Sequence, residues 1–227
     1  MADLIPPLNS CLSRMQAGEK RFARRLASHL EDDYLCWYET GVGNRPRYTD
    51  FIILHPGRGL LLLEVKDWRL DTIRKANRDS FELQLSSGIK TVLNPLQQVR
   101  QCSYKLVKQL EQDDQLIHAT GDYKGRLAMP YGYGVVLSNI TRLQFDKAEL
   151  GEVIPEVFTI CKDEMSESVD AEAFQKRLWD MFTYHFARQL TQPQIDRIRW
   201  HLFPEIRMNQ QPELSLPKQS DEAVFDI

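Results

Sequence analysis

Two consecutive apolar segments constrain the fold of this chain more than any other feature of its sequence. Residues 51–54 (FIIL) and 60–63 (LLLL) are separated by HPGRG, a stretch with a proline and two glycines. Short apolar runs on either side of such a turn predict a β-hairpin. Because neither run alternates with polar residues, both strands are predicted to be buried on both faces of their sheet.

Charged residues bound this hairpin at its open end. If the turn is centred on Gly57, paired residues have numbers that sum to 114, so Asp50 lies opposite Glu64. Opposed residues of an antiparallel pair have Cβ atoms about 4.5–5.5 Å apart, and like charges at that distance are destabilising. Side chains alternate along a strand, so Lys66 is expected on the same face as Glu64. The pattern therefore predicts two carboxylates and an ammonium group together.

A divalent cation would relieve the repulsion between these two carboxylates. Oxygen ligands without a cluster of His or Cys favour Mg²⁺ or Mn²⁺ over zinc. Such a metal can bind a phosphate oxygen and generate hydroxide from a bound water, while Lys66 orients that water or stabilises the developing charge. The alternative is a surface salt-bridge cluster at a strand end, and the hairpin alone does not separate the two.

Two predicted helices bring further polar residues to this cluster. The apolar spacing over residues 11–31 predicts an amphipathic helix, and Glu19 lies within its apolar stripe. A carboxylate in such a stripe is costly unless it is paired or binds a metal, although a bond to a neighbouring Arg would also account for it. Asn94-Pro95 predicts the start of a second helix, with Gln98 one turn in. Gln98 could contact the lysine, a water or a nucleic-acid backbone, or be a polar flank of the helix.

The remaining elements are predicted from local patterns. Strands are expected at 34–39, once or twice within 70–92, at 131–138 and at 153–160, and helices at 170–190 and after the capping box Thr191-x-x-Gln194. Tyr131 and Tyr133 alternate with glycines, which packing explains. Residues from 208 onward are polar and contain two prolines, which is typical of a linker or tail.

Composition limits the classes of function and location. No apolar run approaches the roughly 18 residues of a membrane helix, and the first residues lack a signal-peptide pattern, so a cytoplasmic protein without membrane contact is expected. The scattered cysteines and histidines have no zinc-ligand spacing. Residues 1–110 carry 17 Lys and Arg against 12 Asp and Glu, so this part could meet a polyanion such as DNA.

Taken as a set, these residues resemble a known family, the nuclease-related domain of the PD-(D/E)XK nuclease superfamily. The resemblance covers about residues 15–110 and rests on Gly18-Glu19, Asp50, Glu64-Val65-Lys66 and Asn94-Pro95-x-x-Gln98. It departs from the usual pattern at Thr49, which stands where a proline often precedes the aspartate. The resemblance implies an α/β fold of the restriction-endonuclease type, with a mixed central β-sheet flanked by α-helices.

The resemblance also implies a site and a domain organisation. Mg²⁺ would be held by Asp50, Glu64 and the carbonyl of Val65, with Glu19 as an additional acidic ligand or an outer-shell group, Lys66 as the catalytic lysine and Gln98 in support. Residues 1–207 are expected to form the nuclease domain, with a helical part from about residue 165, and residues 208–227 a polar linker. Such domains often precede a superfamily 1 helicase. This chain has no GxxxxGK phosphate loop, so a helicase module would lie C-terminal to it.

Three functions of different classes are compatible with the sequence. The leading one is a metal-dependent deoxyribonuclease of a repair or defence type. The second is a catalytically idle DNA-binding module that targets a helicase, and the third is an interaction domain in which Asp50 and Lys66 form a salt bridge. Arg45 and Arg47 flank the loop before Asp50 and could contact phosphates, or simply be solvated. Double-strand cleavage with one site per chain would favour a homodimer.

Overall fold

The computed structural model describes residues 2–42, 47–184 and 189–203 of the chain. The predicted linker, 208–227, lies outside these residues. No helix within the described ranges has the length and apolar character needed to cross a membrane.

A mixed six-stranded β-sheet forms the centre of the fold. Its strands, in spatial order, are β1 (Asp3–Ile5), β2 (Leu35–Val42), β3 (Arg47–His55), β4 (Gly59–Lys66), β8 (Tyr131–Leu137) and β9 (Thr159–Cys161). β2, β3 and β4 are antiparallel neighbours, whereas β4, β8 and β9 run parallel. Parallel neighbours need a crossover, which supplies the helices that flank the sheet. The predicted α/β class with a mixed central sheet is therefore confirmed.

The predicted hairpin has the predicted register. Phe51 pairs with Leu63, Ile52 with Leu62, and the pairing continues to His55 and Gly59, so every pair of numbers sums to 114. All eight residues of the two apolar segments are fully buried. The even-numbered residues pack against one core and the odd-numbered residues against another, because side chains alternate between the faces of a strand.

Helices cover both faces of this sheet. Within the described ranges the α-helices are α1 (Leu8–Cys11), α2 (Ala17–His29), α3 (Pro95–Leu110), α4 (Arg142–Lys147), α5 (Ala171–Trp179) and α6 (Gln192–Leu202). α3 and α6 pack on the face of the even-numbered hairpin residues, and α2 and α5 pack on the other. Asn94 caps α3 through a bond from the amide of Leu96, as its sequence predicts.

A small antiparallel sheet stands between β4 and α3 in the sequence. It contains β5 (Ile73–Ala76), β6 (Ser80–Leu85) and β7 (Gly88–Leu93), one strand more than the pair expected in this segment. Phe81 and Leu83 of β6 are its buried residues and join the core beneath α3. Most residues of β7 are exposed, which is why its sequence lacks a clear apolar pattern.

Three predicted elements are shorter in the structure. The first helix begins at Ala17 because Gln16 and Glu19 form a capping box there. The strand expected at 153–160 is reduced to β9, since Pro155 cannot donate to a sheet ladder and short 3₁₀ turns precede it. The helix expected over 170–190 ends at Trp179.

The early end of α5 has a packing cause. Met181 and Phe182 leave the helix and lie against Gly134 and Gly132 of β8, where a side chain on either glycine would press against them. Both residues are buried. The glycines in β8 therefore admit this segment.

Candidate active site

The acidic residues of the hairpin lie at its open end, on the face that α3 covers. Regular pairing of β3 and β4 ends at Phe51 and Leu63, so Asp50 and Glu64 are the next residues in the same register. They share the face of Ile52 and Leu62, which pack under α3. Glu64 and Lys66 also lie at the carboxyl end of β4, beside the parallel strand β8. In sheets of parallel strands, this end commonly bears the ligand site.

Glu64 is a buried carboxylate with an uneven set of partners. Its side chain is 3% exposed. One oxygen, Oε1, accepts bonds of 2.5 Å from both Lys66 Nζ and Gln98 Nε2. The other oxygen, Oε2, is buried and has no hydrogen-bond partner in the described part of the chain. Leaving a buried carboxylate oxygen without a donor is costly, so this atom is a place where a proton or a positive group would be stabilising.

Asp50 is the second acid of the cluster. Its Oδ2 accepts a 2.6 Å bond from the backbone amide of Val65. Burial raises the pKa of Asp50 to about 7, and the nearby charge of Glu64 adds to the rise against the opposing effects of Val65 and Lys66. Burial also raises the pKa of Glu64, although Lys66 and Gln98 both act to lower it. The two carboxylates therefore disfavour each other's charge, and one lysine does not neutralise them.

Glu19 has its own partners near this pair. It lies in the first turn of α2, where its Oε2 accepts bonds from the amide of Gln16 at 2.9 Å and from the hydroxyl of Tyr38 at 2.8 Å. Burial and this bond raise the pKa of Tyr38. The charge of Glu19 also acts to raise the pKa of both Asp50 and Glu64, so it belongs to the same electrostatic environment. Its predicted role as a metal ligand stays a prediction.

The structure allows a direct assessment of the predicted metal-binding set. Across the described ranges, no three His, Cys, Asp or Glu side chains converge as a metal-binding group. The hairpin therefore offers two side-chain ligands, Asp50 and Glu64. Mg²⁺ is often bound by only one or two carboxylates, with waters and substrate phosphates completing its six ligands. Two carboxylates, one of which has an unpartnered buried oxygen, fit such an ion. The carbonyl of Val65 as a third ligand stays a prediction.

The two arginines predicted to contact phosphates cannot be placed in this site. Arg45 lies outside the described residues, and Arg47 is described only as backbone in β3. Their role in binding nucleic acid stays a prediction.

One cluster beside the site was missed by the sequence analysis. Asp67, the residue after Lys66, accepts a 2.9 Å bond from the amide of Gly18 and a second bond from the hydroxyl of Ser138. A side chain at Gly18 would collide with both Asp67 and Ser138. This contact fixes the start of α2 to the ends of β4 and β8. The sequence signal for this contact was Gly18, because a glycine near the start of a helix allows another residue to approach its backbone closely.

The comparison with known families bears on this geometry. Residues 14–123 match the model of the nuclease-related domain. The matched segment is slightly less than half of the chain and includes Glu19, Asp50, Glu64, Lys66 and Gln98. No curated protein and no solved structure matches the chain. The nuclease-related domain match therefore supports a nuclease-related function for the segment that builds the acidic cluster.

Proposed function

We propose that this chain is a metal-dependent nuclease that hydrolyses phosphodiester bonds of DNA at Asp50, Glu64 and Lys66. The observation that carries the proposal is the buried, unpartnered Oε2 of Glu64 beside a second acid with a raised pKa. The match to the nuclease-related domain supports the same reaction class.

The chain's own residues would prepare this site in three ways. Lys66 and Gln98 both donate to Oε1 of Glu64, which fixes the carboxylate and keeps Oε2 available for Mg²⁺ or Mn²⁺. The amide of Val65 fixes Asp50 in the same manner. When bound, the metal would polarise a phosphate oxygen and lower the pKa of a water. Lys66, which is partly exposed, would stabilise the negative charge that develops on the phosphate.

Cationic side chains near the carboxyl end of β4 would receive the phosphate backbone of DNA. Arg69 and Lys162 line one open cavity with Asn139, and Lys162 also lines a second cavity with Arg21 and Arg24. Arg21 is held in place by bonds to the carbonyl of Ser138 and the side chain of Asn139. Positive groups beside a cleavage site contact phosphates irrespective of base sequence.

The wider context belongs to the same proposal. A helicase module C-terminal to this chain rests on the family resemblance, and a homodimer for double-strand cleavage rests on one site per chain. A cytoplasmic location rests on the sequence, which has no long apolar run and no signal-peptide pattern. The PD-(D/E)XK assignment rests on the order of Asp50, Glu64 and Lys66 and on the match to the nuclease-related domain.

The primary test is DNA cleavage by the purified chain. Single-stranded, nicked and supercoiled DNA are incubated with Mg²⁺, Mn²⁺ or EDTA, and binding is measured in parallel. We expect cleavage with either metal and none with EDTA. Binding without cleavage under every metal would instead favour the idle DNA-binding module. Two observations favour this alternative: Lys66 is paired with Glu64, and no group of three metal-binding side chains is found in the described part of the chain. Absence of both binding and metal uptake would favour the interaction domain.

Metal binding should depend on pH through the same two acids. The raised pKa of Asp50, about 7, means that protons and metal compete for the carboxylates, so we expect Mg²⁺ affinity to fall about tenfold per pH unit below that value. A carboxylate whose pKa is raised on folding contributes stability below its unfolded value of 3.8, and this contribution is lost as pH rises through about 7. The metal-free protein should therefore gain more thermal stability from Mg²⁺ at pH 8 than at pH 6.

Thermal denaturation with and without Mg²⁺ at the two pH values measures this effect. Asp50→Asn should lose the Mg²⁺-dependent stabilisation, whereas Asp146→Asn, at an exposed position on α4, should retain it. An equal stabilisation by Mg²⁺ at pH 6 and pH 8 would contradict the assignment of Asp50 as a ligand.

A further inference from the structure

Another cavity lies along the C-terminal half of α3, away from the acidic cluster. Its volume is about 620 Å³, which is within the range of small-molecule sites. Val107 and Leu127 are the buried apolar residues of its lining, and β8 contributes Tyr131 from its first position. The metal-binding residues of β4 lie near the other end of the sheet, since Leu60, not Glu64, is the residue paired with Tyr131.

Four tyrosines give the cavity an aromatic lining. They come from α3 (Tyr104), from the segment after α3 (Tyr123), from β8 (Tyr131) and from the segment after α5 (Tyr184). Tyr104, Tyr123 and Tyr184 are 41%, 64% and 37% exposed, and each ring also contacts a neighbouring side chain within the protein. Exposed rings that converge on one cavity are a stacking surface for a planar group, and nucleobases use such surfaces irrespective of their identity.

Charged groups of the cavity favour a ligand with a negative charge. Lys108 and Arg126 line it and are exposed, and Arg100 lies next to it with its guanidinium bonded to the hydroxyl of Tyr104 at 2.9 Å. The acidic residue of the lining, Glu111, accepts a bond from the backbone amide of Leu127. The lining therefore has two cationic side chains, Lys108 and Arg126, against one carboxylate, and that carboxylate already accepts a bond from the protein backbone.

We propose that this cavity binds a nucleotide, with its base against the tyrosines and its phosphate at Lys108 and Arg126. A planar aromatic group joined to a phosphate is the chemistry that matches both the rings and the charges of the lining. The ligand could be a free nucleotide or one unit of a single-stranded nucleic acid. The proposal does not depend on the metal site, because none of the lining residues belongs to the acidic cluster.

Helix α3 connects this cavity to the proposed cleavage site. Gln98 contacts Glu64 near the start of the helix, and Tyr104 and Lys108 lie six and ten residues further on. At 1.5 Å per residue these positions are about 9 and 15 Å from Gln98 along the helix axis. Stacked nucleotides advance about 3.4 Å each along one strand, so the axial separation corresponds to about three to four nucleotides. A strand that ran from the cavity along α3 towards Gln98 would therefore reach the proposed cleavage site.

Binding of defined probes to the full chain tests this proposal. ATP, thymidine monophosphate and a fluorescent ten-nucleotide single-stranded DNA are titrated in EDTA, so that cleavage cannot interfere. We expect Tyr104→Ala or Tyr123→Ala to weaken binding roughly tenfold, since stacking on one aromatic ring contributes about that factor. Trp200→Ala removes an aromatic side chain that is 53% exposed and lies outside the cavity lining, so its affinity should equal that of the wild type.

Charge is tested with a matched pair of lysines. Lys108→Glu should weaken binding and reduce its salt dependence, whereas Lys90→Glu, at an exposed position of β7 outside the cavity lining, should have little effect. Binding of free nucleotides supports a ligand site, and binding of the oligonucleotide alone supports a strand anchor. Equal affinities for wild type, Tyr104→Ala and Lys108→Glu would overturn the proposal. Failure of metal-dependent cleavage, with these differences intact, would overturn only the proposed nuclease.

Discussion

Replacing Glu64 by glutamine is expected to abolish DNA cleavage while leaving the protein at least as stable as the wild type. The amide can still accept bonds from Lys66 and Gln98, but it lacks the negative charge that a metal requires. We expect the cleavage rate to fall by roughly 10³-fold, in the range found for removal of a key electrostatic group. Lys66→Ala should lower the rate to a similar extent with metal binding retained.

Stability gives this experiment a second readout. The pKa of Glu64 is raised by burial, so its charged form costs folding free energy at pH 8, and the neutral amide removes that cost. Urea denaturation should therefore show no decrease in the free energy of unfolding for Glu64→Gln. Glu172→Gln, on the surface of α5, is the matched control for both rate and stability. Cleavage at the wild-type rate by Glu64→Gln would refute the assignment of the site.

Gly59→Ala is expected to be among the most destabilising single substitutions in the central hairpin. Gly59 has a φ of +104°, which side chains rarely adopt, and an added Cβ would collide with the carbonyl of Pro130. That carbonyl also accepts a 3.0 Å bond from the amide of Leu60. Strain of about 1–3 kcal/mol and the loss of this bond together predict about 3 kcal/mol of destabilisation.

Gly88 provides a control that separates the two causes. Its φ is +116°, but an added Cβ would meet nothing within 4 Å. Gly88→Ala should therefore show the backbone strain alone and cost about 1–2 kcal/mol. Urea denaturation of both variants measures the difference. Equal costs at the two positions would mean that the contact with Pro130 does not limit the packing of β4.

The central hairpin could be predicted from sequence because its information is local. Two apolar runs, one turn and the alternation of side chains are enough to place Asp50 opposite Glu64, and the observed pairing has that register. The starts of α3 and α6 could likewise be predicted, because the capping residues Asn94-Pro95 and Thr191-x-x-Gln194 lie next to them in the sequence. Gln98 was expected to contact the lysine, a water or a nucleic-acid backbone, whereas in the structure it donates to Oε1 of Glu64, the atom that also accepts from Lys66.

Features that depend on distant residues were not predictable in this way. The end of α5 is decided by the glycines of β8, about 50 residues earlier in the chain. The spacing of residues places Glu19 in the apolar stripe of its helix. In the structure it accepts bonds from the amide of Gln16, in a capping box, and from the hydroxyl of Tyr38 in β2. The aromatic cavity combines side chains from residue 104 to residue 184, so no single segment carries its pattern.

The two cores on either side of β4 have a consequence for how the acidic cluster responds to motion. β4 is paired with β3 and β8 along both edges, and its residues from Gly59 to Val65 are buried. Amide hydrogens in such a strand exchange with solvent through openings close to global unfolding rather than through local fluctuations. The backbone that carries Glu64 thus belongs to the most slowly opening part of the molecule, so breathing of the edge strands or of the small sheet would leave the spacing of the acids intact.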